Sequence, residues 1–210
     1  MKPDRALLYL VSLSVVVLVW SAIKPDDYGT WLFEIMAPVC EVAVLAITFK
    51  RFRFSNLAFV LVGIHFIILA IGAHYTYAEM PLFNWLKERF NLSRNYYDRV
   101  GHFFQGFVPA MLMREILLRC TPLQAGKMAA LLCGSVALAI SALWELLEMW
   151  TVKLFHADDG VQWLGMQGDV WDTQMDMQMA LIGAVVALFV LSKLHDRSIR
   201  NVAQHKIQAA

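Results

Sequence analysis

Histidine and carboxylate side chains occur together at a few points of an otherwise apolar chain. A ligand set of two histidines and several carboxylates, without a cysteine ligand, favours a hard or borderline divalent ion. Zinc, manganese, iron and magnesium are the candidates. A catalytic site of this kind leaves one coordination position open for water or substrate. We predict an acid–base role for Glu145 and Asp176 in addition. The candidate metal ligands are His74, His102, Glu145, Glu148, Asp172 and Asp176.

The spacing of the carboxylates places them on shared helix faces. Glu145 and Glu148 are three residues apart, which puts them on one face of a helix. Asp172 and Asp176 are four residues apart and share a face in the same way. Either Asp169 or Asp172 suits a helix N-cap, which is a purely structural role. A cap accounts for one aspartate but not for three, so we expect at least two of them to be functional.

A second pattern surrounds His102. Asp98 lies four residues before it and Gln105 three residues after it, so both share its helix face. A carboxylate at that spacing can orient the imidazole of a metal-bound histidine. We therefore expect Asp98, Arg99, Gln105 and Asp169 to surround the ligands rather than to bind the ion.

A deeper polar pair is formed by Glu41 and His65. Counted from the ends of their apolar segments, both fall near the middle of a bilayer, about 15 Å from its surface. Two interpretations stay open for this pair: a packing bridge between two helices, and part of a relay that moves protons.

The elements that position these residues are six apolar segments of a length that can span a membrane. Of the 210 residues, 59% are hydrophobic and 17% are charged, which argues against an ordinary soluble domain. A spanning helix needs roughly 20 apolar residues. We predict an all-α bundle of six transmembrane helices in a single membrane domain, 1–210. The predicted spans are 6–23, 30–49, 56–77, 99–119, 125–149 and 173–194.

The distribution of basic residues sets the predicted orientation. If the N-terminus is cytoplasmic, twelve of the 18 lysines and arginines fall in cytoplasmic segments, as the positive-inside rule requires. Both termini are then cytoplasmic, and the His and carboxylate residues lie at the periplasmic ends of the spans. No basic stripe exists beyond the short inner loops, so we expect contact with membrane lipids and no nucleic acid.

The two longest connections are both on the predicted outer side. Residues 78–98 interleave apolar and charged side chains, which suits a short amphipathic helix in the membrane interface. Residues 150–172 contain tryptophans and glycines and are expected to cap the bundle. The last span carries small residues at helical spacing, which favours close helix packing. They are Ala180, Gly183, Ala184 and Ala187.

Three segments resemble the YjdF family of bacterial inner-membrane proteins. They are 97–103, 144–148 and 168–176, which read YDRVGHF, WELLE and GDVWDTQMD. The resemblance extends over the whole chain and implies a multi-pass protein of the bacterial inner membrane. It implies no activity, so the site assignment rests on the residues themselves.

Three functions fit the pattern. The first is a metal-dependent membrane enzyme that acts on a lipid or envelope substrate. The second is a proton-coupled transporter, because carboxylate–histidine chains serve as proton relays in membranes. The third is a sensor or accessory subunit whose acidic face binds a cation or a partner.

Overall fold

The computed structural model describes residues 5–155 and 167–208, and within these two ranges all regular structure is helical. The all-α class is therefore confirmed. The seven helices of the described ranges are α1 (Arg5–Ser21), α2 (Tyr28–Thr48), α3 (Asn56–His74), α4 (Pro81–Phe90), α5 (Tyr97–Cys120), α6 (Lys127–Phe155) and α7 (Asp172–Gln208).

Four of these helices are long and apolar enough to cross a membrane: α2, α3, α6 and the Asp172–Val202 part of α7. The helix α1 is apolar but has 17 residues. The helix α5 has 24 residues, and charged side chains near both of its ends lower its hydropathy. The number of spans and the side on which the termini lie stay predictions, as does the single domain.

The helix boundaries follow local capping chemistry. The Asp27 side chain accepts a hydrogen bond from the backbone N–H of Thr30 at 2.7 Å, which satisfies one of the free donors at the start of α2. Ser55 caps α3 in the same way through the N–H of Ala58. Asn91, with φ of 50°, ends α4 in the left-handed conformation.

The helix α5 lies at the centre of the bundle and packs against α3, α6 and α7. Its approach to α7 is at backbone contact. A Cβ added to Gly106 would overlap the carbonyl of Ala180, and one added to Gly183 would overlap the carbonyl of Phe103. Ala184 is also fully buried. The predicted small-residue face therefore packs against α5, and it fixes the start of α7 beside the start of α5.

Both ends of the bundle contain buried charged side chains, and apolar side chains fill the space between them. We call the end at which α2, α5 and α7 begin and α3 and α6 end the α4 end. Away from it, a core of large apolar side chains joins α1, α2, α3, α5 and α7. Its buried members include Leu45, Phe54, Phe59, Val62 and Met111.

The structure describes the first of the two predicted outer connections in full and the second only in part. A short helix, α4, is present within 78–98, and it buries none of its residues. Leu82, Trp85 and Phe90 are exposed on it, as an interfacial helix requires, although its position in an interface stays a prediction. Within the predicted cap at 150–172, residues 156–166 lie outside the described residues.

Candidate functional site

A polar pocket of about 40 Å³ lies at the α4 end, where α2, α5, α6 and α7 converge. A volume of this size holds a small ion with water, because about 10–15 Å³ of such space suffices for one water molecule. The pocket is lined by Thr30, Glu34, Thr76, Tyr77, Ala78, Asp98, His102, Glu145, Glu148, Gln167, Asp172, Thr173 and Asp176.

His102 is buried at the centre of this pocket. Its Nδ1 lies 2.9 Å from Oε1 of Gln105, one helix turn away. An amide oxygen can only accept a hydrogen bond, so this contact places a proton on Nδ1. The other nitrogen, Nε2, is then left to face the pocket.

Three carboxylates surround Nε2 of His102. The distances are 3.4 Å to Oδ1 of Asp98, 3.7 Å to Oε1 of Glu145 and 3.7 Å to Oδ1 of Asp176. These exceed the length of a charge-assisted hydrogen bond, about 2.7–2.9 Å. Ligand atoms about 2.1 Å from a tetrahedral ion are about 3.4 Å apart, so the spacing resembles that of a coordination shell.

The ligand atoms of Asp98, His102 and Asp176 lie within 4.8 Å of one another. The structure therefore places Asp98 directly beside the imidazole, in a position suited to a ligand. The sequence had suggested that Asp98 only orients the imidazole. Asp98 does lie on the same helix face as His102, as its spacing predicts. The same single turn of helix brings its carboxylate to within 3.4 Å of Nε2.

The aspartates that open α7 bind two buried arginines. Nη2 of Arg99 donates to Oδ1 of Asp172 at 2.5 Å and to Oδ2 of Asp169 at 3.2 Å. Nη1 of Arg99 donates to Asp176, and Nη1 of Arg94 donates to Asp172. Two guanidinium groups share one oxygen of Asp172, whereas Oδ1 of Asp176 accepts from Arg99 alone, so Asp176 is the better candidate ligand of the two.

The two glutamates of α6 have different surroundings. Glu148 accepts a hydrogen bond at 2.9 Å from the indole N–H of Trp144, one turn earlier. Glu145 is buried, and its Oε1 has no hydrogen-bond partner among the described residues. A buried carboxylate oxygen without a donor is costly, and this one points at His102.

The charges of the site do not balance within the described part of the chain. Two guanidinium groups, Arg94 and Arg99, stand against seven carboxylates. Such an excess is stabilised by a bound cation or by protonation. The carboxylates are Glu34, Asp98, Glu145, Glu148, Asp169, Asp172 and Asp176.

Tyr77 closes the pocket toward α3, and the sequence did not single it out. Burial raises the pKa of its phenol well above the usual value of 10.0, and the carboxylate of Glu34 adds to the effect. The ring lies over Gly72 and Gly101, where a Cβ would collide with it. Gly72 on α3 and Gly101 on α5 were the available sequence signal, because a glycine leaves room beside its helix for an aromatic ring.

Arg94 was also missed. It lies in the connection before α5, and it is four residues before Asp98. An Arg–Asp pair at that spacing indicates an interaction only if the helix extends back to the arginine. In the structure Nη2 of Arg94 lies 3.7 Å from Oδ2 of Asp98, and the arginine also pairs with Asp169 and Asp172 at the start of α7.

The structure does not bring His74, a predicted ligand, to the polar pocket. Its Nδ1 lies 3.0 Å from the carbonyl oxygen of Ser21, and its ring stacks on Trp20 with centroids 4.9 Å apart. His74 comes two residues after Gly72, which faces the pocket side, and two residues rotate a helix by about 200°. The side chain therefore points toward α1.

Glu41 and His65 lie together beneath the pocket. Oε2 of Glu41 is 2.9 Å from Nδ1 of His65, and the His65 side chain is 5% exposed. Oε1 of Glu41 and Nε2 of His65 have no partner among the described residues.

Four helices of the described ranges are long and apolar enough to cross a bilayer, which is the architecture of a membrane protein. The buried His and carboxylate cluster lies at one end of this bundle. The model of one family, described as "Predicted membrane protein (DUF2238)", matches residues 6–197. The chain belongs to this family. It is 43% identical over 187 residues to "Inner membrane protein YjdF" of Escherichia coli (strain K12), which covers 88% of each chain. No solved structure matches it. The resemblance and the bacterial inner-membrane location are confirmed.

Proposed function

We propose that this protein is a metal-dependent membrane enzyme that acts on a lipid or envelope substrate. The ligands are Asp98, His102 and Asp176. The supporting observation is the gap around Nε2 of His102, where three carboxylate oxygens stand at 3.4–3.7 Å. A neutral imidazole would direct a lone pair at three carboxylates, and a cation between them removes that repulsion.

The residues around the ion have separable roles. A divalent ion supplies Lewis acidity and lowers the pKa of bound water. Glu145 is the candidate general base, because its Oε1 is buried, without a partner among the described residues, and directed at the same point. Arg99 holds Asp176 and Asp172 in place, which fixes the ligand oxygen of Asp176. Gln105 fixes the tautomer of His102.

The proposal places the site on the periplasmic side of six spans. These are α1, α2, α3, α5, α6 and α7, with both termini in the cytoplasm. Twelve of the 18 basic residues then lie on the cytoplasmic side. With 17 residues, α1 extends about 25 Å, and with a slight local thinning of the bilayer it is long enough to cross.

Proton-coupled transport is the second candidate, and the Glu41–His65 pair favours it. A carrier needs a polar route to the opposite end of the bundle. Beyond this pair, however, the large apolar core with Phe54, Phe59 and Met111 lies between the helices. This arrangement favours a site that is open from one side, as an enzyme requires.

Metal analysis tests the proposal most directly. We expect protein purified without chelators, or loaded with each candidate ion and washed, to retain a stoichiometric divalent metal. His102→Gln should lose it, whereas Glu88→Gln, an exposed change on α4, should retain it. Wild-type protein that binds none of zinc, manganese, iron or magnesium above the level of His102→Gln would overturn the proposal.

A further inference from the structure

An apolar cleft of about 560 Å³ opens on the side of the bundle between α2 and α6. Its walls carry Met36 and Val44 on α2, and Ile140 and Leu143 on α6. These four side chains are 39–54% exposed, so the cleft is open toward the surrounding hydrocarbon. Its base is formed by α3 and α5. A cavity of this volume is in the range that binds small organic ligands, roughly 300–1,000 Å³.

Two buried polar atoms interrupt the lining of this cleft. Glu41 and His65 both line it, and Oε2 of Glu41 is 2.9 Å from Nδ1 of His65. The other two polar atoms of the pair, Oε1 of Glu41 and Nε2 of His65, have no partner among the described residues. Buried polar atoms without partners destabilise a protein. A ligand of the cleft should therefore supply a partner for each of them.

The hydrogen-bonding requirement of these two free atoms is the same for every tautomer of His65. A net charge in an apolar cleft is costly, so the pair is neutral as a whole. It is either a carboxylate with an imidazolium or a carboxylic acid with a neutral imidazole, and both forms carry two hydrogens. One hydrogen is used in the contact between Oε2 and Nδ1. The other lies on Nε2 or on Oε1, so that one free atom is a donor and the other an acceptor.

A hydroxyl group meets this requirement, because its single oxygen both donates and accepts. An ester or ether oxygen only accepts, and a hydrocarbon does neither. A water molecule at the pair would find two free polar atoms, whereas buried waters typically make about three hydrogen bonds. The lining of the cleft therefore favours an apolar molecule that carries a hydroxyl group.

The position of the pair sets the direction of the apolar part. At the α4 end of the cleft, the rings of Phe33 on α2 and Trp144 on α6 have centroids 4.9 Å apart, so the two walls touch there. In the other direction the lining continues from His65 to the start of α3 at Asn56, which is about 14 Å of helix. An apolar chain attached to the hydroxyl therefore extends toward that end. The side chains that line this part are apolar, and they include Val44, Leu45, Phe54, Leu112, Ile116 and Val136.

We propose that this cleft binds a long-chain alcohol. Its hydroxyl group lies at the Glu41–His65 pair, and its apolar chain runs along α2 and α6 toward the start of α3. The ligand has no charged head, so it places no group in the polar pocket. The inference goes beyond the proposed function, because it requires neither a metal nor a reaction.

Photo-crosslinking tests the assignment without any need for activity. The full-length protein, in vesicles of phosphatidylcholine, which carries no hydroxyl group, receives a trace of a long-chain alcohol with a diazirine in its chain. Mass spectrometry then locates the adducts. We expect adducts on Val44 well above those on Val185 of α7, which is similarly exposed but does not line the cleft.

Two unlabelled competitors of the same chain length separate hydrogen bonding from apolar burial. They are the alcohol and its methyl ether, which accepts a hydrogen bond but cannot donate one. We expect the alcohol to compete about tenfold better than the ether, equivalent to about 1.4 kcal/mol. Equal competition by the two would indicate a pair that is satisfied by water, and it would overturn the inference.

Matched variants assign the preference to the pair. Glu41→Leu combined with His65→Leu removes both polar atoms and keeps the cleft apolar, so the adducts should remain while alcohol and ether compete equally. A preference for the alcohol that survives in this double variant would overturn the inference.

A second pair of variants tests the cleft itself, and it serves also if the double variant does not fold. Ile140→Trp fills the cleft and should reduce the adducts on Val44 about tenfold. Leu146→Trp, on the same helix but outside the cleft, should leave them unchanged. Adducts spread evenly over Val44 and Val185, or an Ile140→Trp protein that is labelled like the wild type, would contradict binding in the cleft.

Discussion

Gly106 of α5 lies directly against the backbone carbonyl of Ala180 of α7, so that no side chain fits between the two helices. One helix turn before Gly106 lies His102, and one turn before Ala180 lies Asp176. The backbone contact therefore sets the spacing between an imidazole and a carboxylate of the candidate site. It connects the packing of the bundle with the chemistry at its α4 end.

Gly106→Ala should destabilise the protein. The added methyl group would overlap the Ala180 carbonyl, and overpacking of this kind costs about 1–3 kcal/mol. The measurement is the melting temperature in detergent. Gly134→Ala on α6 is the control, because the nearest side-chain atom is 4.0 Å from its new Cβ. Equal melting temperatures for the two variants would contradict the close contact of α5 and α7.

Arg99→Gln should be more damaging than the loss of a surface charge. It leaves Asp172 and Asp176 buried with one guanidinium fewer, and breaking a buried ion pair costs about 3–5 kcal/mol. Adding Asp176→Asn to this variant should recover part of the loss. Arg89→Gln on the exposed side of α4 provides the comparison, and a similar loss there would show that Arg99 has no special role.

Removal of a bound ion should lower the melting temperature. A ligand present at a hundredfold excess over its dissociation constant stabilises the folded state by about 2.7 kcal/mol. A strong chelator should remove this contribution, and one particular divalent metal should restore it. If the melting curve is unchanged after metal removal has been verified, the carboxylates are protonated instead. That result would favour proton-coupled transport.

Tyr77 should make stability decline in alkali. Its folded-state pKa is raised well above 10.0, so above pH 10 the unfolded chain releases a proton that the folded chain retains. The unfolded state then binds fewer protons, and stability falls as pH rises. Tyr77→Phe should show a smaller loss of melting temperature between pH 9 and pH 11 than the wild type. A steeper loss in the variant would contradict this sign.

Sequence spacing predicted the residues that share a helix but not the rotation of each helix. His102, Asp98 and Gln105 follow from positions one turn apart on α5, and the structure keeps them together. His74 lies outside the polar pocket, because the depth of a residue along a span does not determine which neighbouring helix its side chain faces. Only contacts between helices, such as His74 with Trp20 of α1, fix that direction.

Long-range pairing was the other limit. Arg94 reaches Asp172 across 78 positions of sequence, and no local pattern indicates that contact. The helix ends were also displaced: α7 continues to Gln208, beyond the predicted end at 194. Charged residues end an apolar pattern without ending a helix, because lysine, arginine and glutamine are good helix formers.

Gln105 belongs to two environments at once. Its Oε1 accepts a hydrogen bond from Nδ1 of His102, and its side chain also lines an apolar cleft between α2 and α6. Any molecule that turns this amide away would release the proton that keeps Nε2 free for the ion. Thermodynamic linkage requires the reverse as well. A molecule that occupied the cleft and turned this amide would therefore change the affinity of the imidazole for an ion, and the ion would change the affinity of that molecule by the same factor.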